Sequence, residues 1–206
     1  MLPMNSSRPV LCLASVSPRR RELLSQIGVA HTVAGADIDE AVLPGETPRD
    51  YVTRLAREKA LAIRRAGEKL PVLAADTTVV IDGEVFGKPR DQAHAVYMLS
   101  ELSGRSHDVL TAVALADAGG VAERLSSSAV RFRSLLPEEC VAYWETGEPR
   151  DKAGGYAIQG LGAVFIESLH GSYSGVMGLP LFETGELLRA AGIEFWDSYD
   201  RVGKRA

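Results

Sequence analysis

Only two cysteines occur in the 206 residues, Cys12 and Cys140. They lie far apart among apolar neighbours, so they offer neither a disulfide framework nor metal-ligand spacing. Buried free thiols are the expectation, which suits a reducing compartment. An excess of positive charge is also missing: 23 Lys and Arg stand against 27 Asp and Glu, a formal net charge of −4. That argues against broad affinity for DNA, RNA or a membrane surface and confines any basic function to a local patch. No apolar run approaches the length of a membrane span. The opening "MLPMNSSRP" has neither the basic n-region nor the apolar h-region of a signal peptide. A cytoplasmic protein is therefore expected. No internal repeat, low-complexity linker, Walker A motif or GxGxxG fingerprint is present. What remains is ordinary for a folded chain, 46% hydrophobic and 24% charged. The length suits one domain over residues 1–206, with 1–8 and 199–206 as loose termini.

"VLCLAS" (10–15) reads as a buried strand. A helix follows over 18–27, with Ser17 as N-cap, Pro18 at its first position and Gly28 as its stop. "HTVAGADIDE" (31–40) is strand-like, and Thr47, Pro48 and Gly67 bracket a long helix. "PVLAADTTVVIDGEVF" (71–86) reads as two strands joined at Asp82-Gly83. A helix over 91–104, a long hairpin over 107–134 turning at Gly119-Gly120, and a helix over 137–147 come next. Residues 148–162 read as a glycine-rich loop, 163–171 as a strand, 172–180 as a second loop and 180–192 as a last helix. This alternation predicts an α/β domain, a mixed β-sheet with flanking helices.

Six features carry chemistry. Arg19, Arg20 and Arg21 crowd the start of a helix, where free N–H groups favour anions and disfavour cations. They are either solvated, with weak pairs such as Arg19–Glu22, or part of a cradle for a polyanion. Lys59 falls inside the apolar stripe Tyr51, Val52, Leu55, Ala62, Ile63, Ala66, so it either snorkels to water or points at an anion. Asp76 interrupts the apolar strand "VLAADTTVVI" and needs a partner there, in a structural ion pair with Lys59 or in a working site. Asp76 and Thr77 face opposite ways in a regular strand, so for both to serve one site the strand must end, bulge or meet a ligand edge-on. Lys88 sits on the irregular loop "FGKPRD", and "DKAGGYAIQGLG" (151–162) combines close-approach glycines with Lys152, Tyr156 and Gln159. The acidic run Asp37, Asp39, Glu40 is either solvated or joins Asp76 in holding a hard cation, since Mg²⁺ takes one or two carboxylates together with substrate phosphates.

In this order, "ASVSPRRREL", "REKA", "AADT", "GKP", "DKAGGYAIQG" and "GSYSGVMGLPL" resemble the Maf family of nucleotide pyrophosphatases, from about residue 10 to about residue 195. The resemblance implies two lobes around a deep cleft, similar to inosine triphosphate pyrophosphatases. It also implies hydrolysis of a nucleoside triphosphate to monophosphate and pyrophosphate with Mg²⁺ or Mn²⁺. Arg19, Thr77 and Gln159 match the branch that acts on dTTP and UTP, while Val16 departs from a common glycine. By the same resemblance, Asp76 is the general base or a metal ligand and Glu40 the second acidic metal residue. Arg20, Lys59 and Lys88 hold the triphosphate, Ser15 and Ser17 add phosphate hydrogen bonds, and Arg19, Thr77 and Gln159 read the base. A homodimer is the family expectation. The alternative is a non-catalytic nucleotide-binding regulator of cell division and septum formation.

Overall fold

Proline and small polar caps set the helix starts. In the computed structural model, which describes residues 8–196, proline opens α1 (Pro18–Gln26), α2 (Pro48–Arg65) and α4 (Pro137–Glu145). There its missing N–H costs nothing. Thr47 Oγ1 accepts from the Asp50 N–H at 3.2 Å, and Asp91 Oδ1 caps α3 (Gln92–Leu102) through the His94 N–H at 2.8 Å. The strands are β1 (Leu11–Leu13), β2 (His31–Val33), β3 (Val72–Ile81), β4 (Glu84–Phe86), β5 (Ser106–Asp117), β6 (Gly120–Phe132) and β7 (Ile166–His170). Two further helices are α5 (Tyr173–Met177) and α6 (Leu181–Ala190). The expected loose termini fall largely outside the described residues.

One mixed sheet carries the fold, in the order β2-β1-β3-β5-β6-β7, with β4 also paired to β3. β1 runs parallel to β2 and β3, and the other pairings are antiparallel. The alternation of side chains along β3 builds two faces. Val72 and Ala74 pack beneath α2 with its Val52, Ala56 and Ala60. Leu73 and Ala75 face the other way, into a cluster with Leu24 of α1 and Leu187 and Leu188 of α6. Farther along that second face, Val79 and Ile81 join a separate cluster with Met98, Leu99, Phe132 and Phe165. Between the two clusters lies a seam of buried or half-buried hydroxyls: Thr77, Thr111, Ser126 and Ser128. The sheet thus supports two lobes on one face, and a cleft opens between them.

Several elements differ from the sequence expectation. The strand expected over 31–40 ends at Val33, and the rest becomes a loop across α2, tied down by Tyr51 Oη on the Glu40 carbonyl (3.0 Å) and Arg54 on the Ala41 carbonyl (2.9 Å). The long hairpin turns at Ala118-Gly119, and Gly120 already pairs with Asp117. The loop over 148–162 is wound into 3₁₀ turns, as is the expected start of β7, over Leu161–Phe165. The second loop holds α5, capped by Ser172 Oγ on the Gly175 N–H at 2.9 Å and ended by Gly178 at φ 113°. The Asp82-Gly83 turn is as expected, with φ of 51° and 83°.

Leu55 of α2 is buried. Leu55→Ala is expected to lower stability by about 2–5 kcal/mol in urea unfolding; an unshifted midpoint would contradict this seating of α2.

Candidate active site

β3 has strand partners on both sides only at its ends. β1 pairs with it at Val72 and Leu73, and β4 at Val79–Ile81. Over residues 74–78 β5 alone flanks it, in unbroken register. The notch so formed opens into a cleft of about 590 Å³. This resolves the geometric problem of Asp76 and Thr77. The strand neither ends nor bulges; the cleft wraps its free edge and reaches both faces.

On the α2 face, Asp76 is 8% exposed. Lys59 Nζ lies 2.6 Å from Asp76 Oδ1 and 2.6 Å from Glu40 Oε1. Burial raises the Asp76 pKa, against the pull of Lys59 and Arg20. Burial acts the same way on Glu40, but there Lys59, backed by Lys88 and Arg20, prevails and holds the carboxyl below its ordinary range. Two neighbouring carboxylates therefore differ in proton affinity, the condition under which one acts as a base while the other stays ionised.

On the opposite face, Arg20 reaches over from α1. Its Nε donates to the Gly178 carbonyl at 2.8 Å, and its other nitrogens reach Ser15 Oγ (3.4 Å) and Thr77 Oγ1 (3.3 Å). Thr77 and Thr111 are cross-strand partners with hydroxyls 3.0 Å apart, and Thr111 also bonds the Gly175 carbonyl at 2.8 Å. Ser17 occupies the N-cap position without capping by its side chain; its N–H donates to Ser15 Oγ at 3.2 Å. Arg19 lies 3.8 Å from Asp151, which also pairs with Lys152. Arg21 is exposed and lines no part of the cleft.

The structure brings Ser15, Ser17, Arg19, Arg20, Glu40, Lys59, Asp76, Thr77, Lys88 and Gln159 to this one cleft. Lys88 and Gln159 are exposed on its walls, and a hydrogen bond from the Gly154 N–H to the Gly87 carbonyl (3.0 Å) joins their two loops. Tyr156 also lines the cleft, but by its ring, because its hydroxyl turns into the core to meet His107 Nε2 at 2.8 Å. A polar contact from that hydroxyl to a ligand is thus ruled out. Asp39 makes a local turn with the Ala41 N–H at 2.9 Å. Sequence reasoning missed Tyr51 and Arg54 as anchors of the Glu40 loop, Thr111 behind Thr77, and Asp151 beside Arg19. Among the lining residues five cations (Arg19, Arg20, Lys59, Lys88, Lys152) face three anions (Glu40, Asp76, Asp151), a local positive excess in a chain of net −4. Among the described residues no group of three or more His, Cys, Asp or Glu is placed to hold a metal ion. The hydrogen bonds to Lys59 use one oxygen each of Glu40 and Asp76. Two carboxylates fit a hard cation that takes its other ligands from phosphate oxygens and water.

A sequence model of the family described as Maf-like protein matches residues 10–191. The chain belongs to the Maf family. Similar proteins include one from Methylobacillus flagellatus, named dTTP/UTP pyrophosphatase, 54% identical over 88% of this chain and 92% of its own. One of the same name from Hahella chejuensis is 50% identical over 95% of this chain and 99% of its own. A third, from Alkalilimnicola ehrlichii, also named dTTP/UTP pyrophosphatase, is 54% identical over 91% and 96%. Among solved structures, the Staphylococcus aureus Ham1 protein aligns over 59% of this chain and 71% of its own, with a TM-score of 0.43 and 16% identity.

His107 supplies a pH signature for the Maf fold in this chain. It is buried against the rings of Phe132 and Tyr156, with Nδ1 unpartnered, and burial lowers its pKa to about 4. An unfolded histidine titrates near 6.5. As pH falls below about 6.5 the unfolded chain takes up a proton that the folded chain refuses until about 4, so stability drops across that window. The full loss is about 3 kcal/mol. His107→Gln is expected to lack this component; equal pH slopes for the two proteins in urea unfolding would refute the assignment.

Proposed function

We propose that this protein hydrolyses dTTP and UTP to the nucleoside monophosphate and pyrophosphate. The observation that carries the reading is the Lys59 ammonium held between Asp76 and Glu40 in a cleft with excess positive charge. The name shared by its Maf relatives supports the substrate choice. Water attacks the α-phosphorus, the bond from that phosphorus to the bridging oxygen breaks, and pyrophosphate leaves. Asp76, its proton affinity raised by burial, takes the proton of the water. Arg20, Lys59 and Lys88 hold the triphosphate and spread the charge that builds on it. Ser15 and Ser17 add hydrogen bonds to phosphate. Arg19, Thr77 and Gln159 face the base; a glutamine offers both a donor and an acceptor, matching the alternating edge of uracil or thymine. Glu40 and Asp76 would hold Mg²⁺ or Mn²⁺, which would supply charge neutralisation when bound.

A housecleaning role in the nucleotide pool follows from this chemistry. No helix among the described residues is long and apolar enough to cross a membrane. Two buried free cysteines support a reducing, cytoplasmic setting. A free nucleotide rather than a nucleic-acid polymer is the expected partner, since the chain as a whole carries a net charge of −4 while the cleft lining carries a local positive excess. A homodimer belongs to the same reading, on the family resemblance.

The decisive experiment is pyrophosphate release over a panel of nucleoside triphosphates with Mg²⁺ and with Mn²⁺. Wild type is expected to act on dTTP and UTP, and Asp76→Asn to lose at least about a thousandfold in turnover while still binding nucleotide in calorimetry. Silence of the wild type on every nucleotide would return the reading to a binding regulator. Gln159→Glu is expected to lower kcat/KM for dTTP and UTP by about tenfold or more, with the melting temperature nearly unchanged because the residue is exposed. Equal loss on all nucleotides would point to structural damage instead.

A further inference from the structure

Gln159 sits at the tip of a turn, and the turn is fastened from behind at both ends by residues outside the cleft. Glu148, in the 3₁₀ turn after α4, accepts from the Gly162 N–H at Oε1 (3.0 Å) and from the Leu161 N–H at Oε2 (2.9 Å). The Tyr143 hydroxyl donates to Glu148 Oε1 at 2.6 Å and accepts from the Ala157 N–H at 3.1 Å. One tyrosine–carboxylate pair thus binds three backbone N–H groups that flank Gln159 on either side. The fit leaves no room for side chains. A Cβ on Gly160 would lie 2.1 Å from Glu148 Oε2, and one on Gly162 would lie 2.6 Å from Tyr143 Oη. At Gly160 it is the nearby carboxylate that leaves no room for a side chain. Neither Glu148 nor Tyr143 lines the cleft.

We infer that Glu148, together with Tyr143, is the positioning residue that sets the base-facing turn of Gln159 and through it the preference for pyrimidine nucleotides. The inference rests on the base-reading role proposed for Gln159. A carboxylate suits the task because it is acceptor-only and meets three donors at once. In Glu148→Gln one of those donors would face an amide NH₂, and the turn would have to shift. Gly160→Ala keeps the carboxylate but pushes it away, so it reaches the same end by a different route. Tyr143→Phe removes only the hydroxyl and keeps the ring stacked edge-on against Phe165.

The test measures kcat and KM for UTP, dTTP, ATP and GTP in wild type, Glu148→Gln, Gly160→Ala, Tyr143→Phe and Gln159→Ala, and in the double variant Glu148→Gln/Gln159→Ala. Melting temperature is followed alongside. In each single variant the preference for UTP and dTTP over the purine nucleotides is expected to fall by about ten- to a hundredfold, mainly through KM. Adding Glu148→Gln to Gln159→Ala is expected to change that preference no further, because the effect passes through Gln159. If Gln159→Ala alone loses the preference while Glu148→Gln and Gly160→Ala keep it, the positioning role is overturned and the base-reading role stands. If Gln159→Ala keeps the preference, the base-reading role falls and the inference falls with it. A uniform loss on all four nucleotides, or additive effects in the double variant, would mark Glu148 as merely structural.

Discussion

A carboxylate in the apolar middle of a sheet must find a cation, and the need of Asp76 for one organises much of this protein. Leaving such a charge unpaired costs several kcal/mol. The partner comes from the apolar face of α2, where Lys59 stands one helical turn beyond Leu55 and next to the buried Ala60. Packing that face against β3 delivers the ammonium to Asp76 without any separate device. Glu40 then completes the arrangement from a loop that Tyr51 and Arg54 hold onto the same helix. One helix therefore seats the core, neutralises the buried acid and anchors the second acid.

The hydroxyl seam has the opposite character. Thr77, Thr111, Ser126 and Ser128 replace apolar side chains along a line across the sheet, so the two clusters on that face do not merge. α5 covers the seam, and its polar groups are spent there: Ser172 exchanges hydrogen bonds with Ser128, and the Gly175 carbonyl accepts from Thr111. The C-terminal end of α5 in turn offers the Gly178 carbonyl to Arg20. The arginine that began as a puzzle at a helix start is thus held by a carbonyl, two hydroxyls and the field of Asp76.

The residues that could be read from sequence were those whose signals are local. Proline at helix starts, Asp82-Gly83 at a turn, a lysine inside an apolar stripe and an aspartate inside an apolar strand each violate or satisfy a rule within a few positions. What sequence did not disclose depends on distant partners. α5 has five residues, two-turn periodicity is absent, and it is held by groups on β5 and β6. The hydroxyl of Tyr156 follows His107, far away in the chain, rather than the cleft. Glu148 looks like any acid after a helix; its only trace was a pair of glycines at 160 and 162, whose meaning appears once the carboxylate is seen against them.

The free edge of β3 separates two kinds of change. Asp76 and Thr77 are adjacent in the chain, yet one faces α2 and the other faces α1 and α5. Lys59 and Glu40 collect with Asp76 on the first side, and Thr77 lines the cleft from the second. A substitution at residue 77 alters one wall without disturbing Lys59 or Glu40 on the other. Two walls of one cleft are thus written in adjacent codons, and selection can alter the Thr77 wall without rebuilding the ion pairs around Asp76.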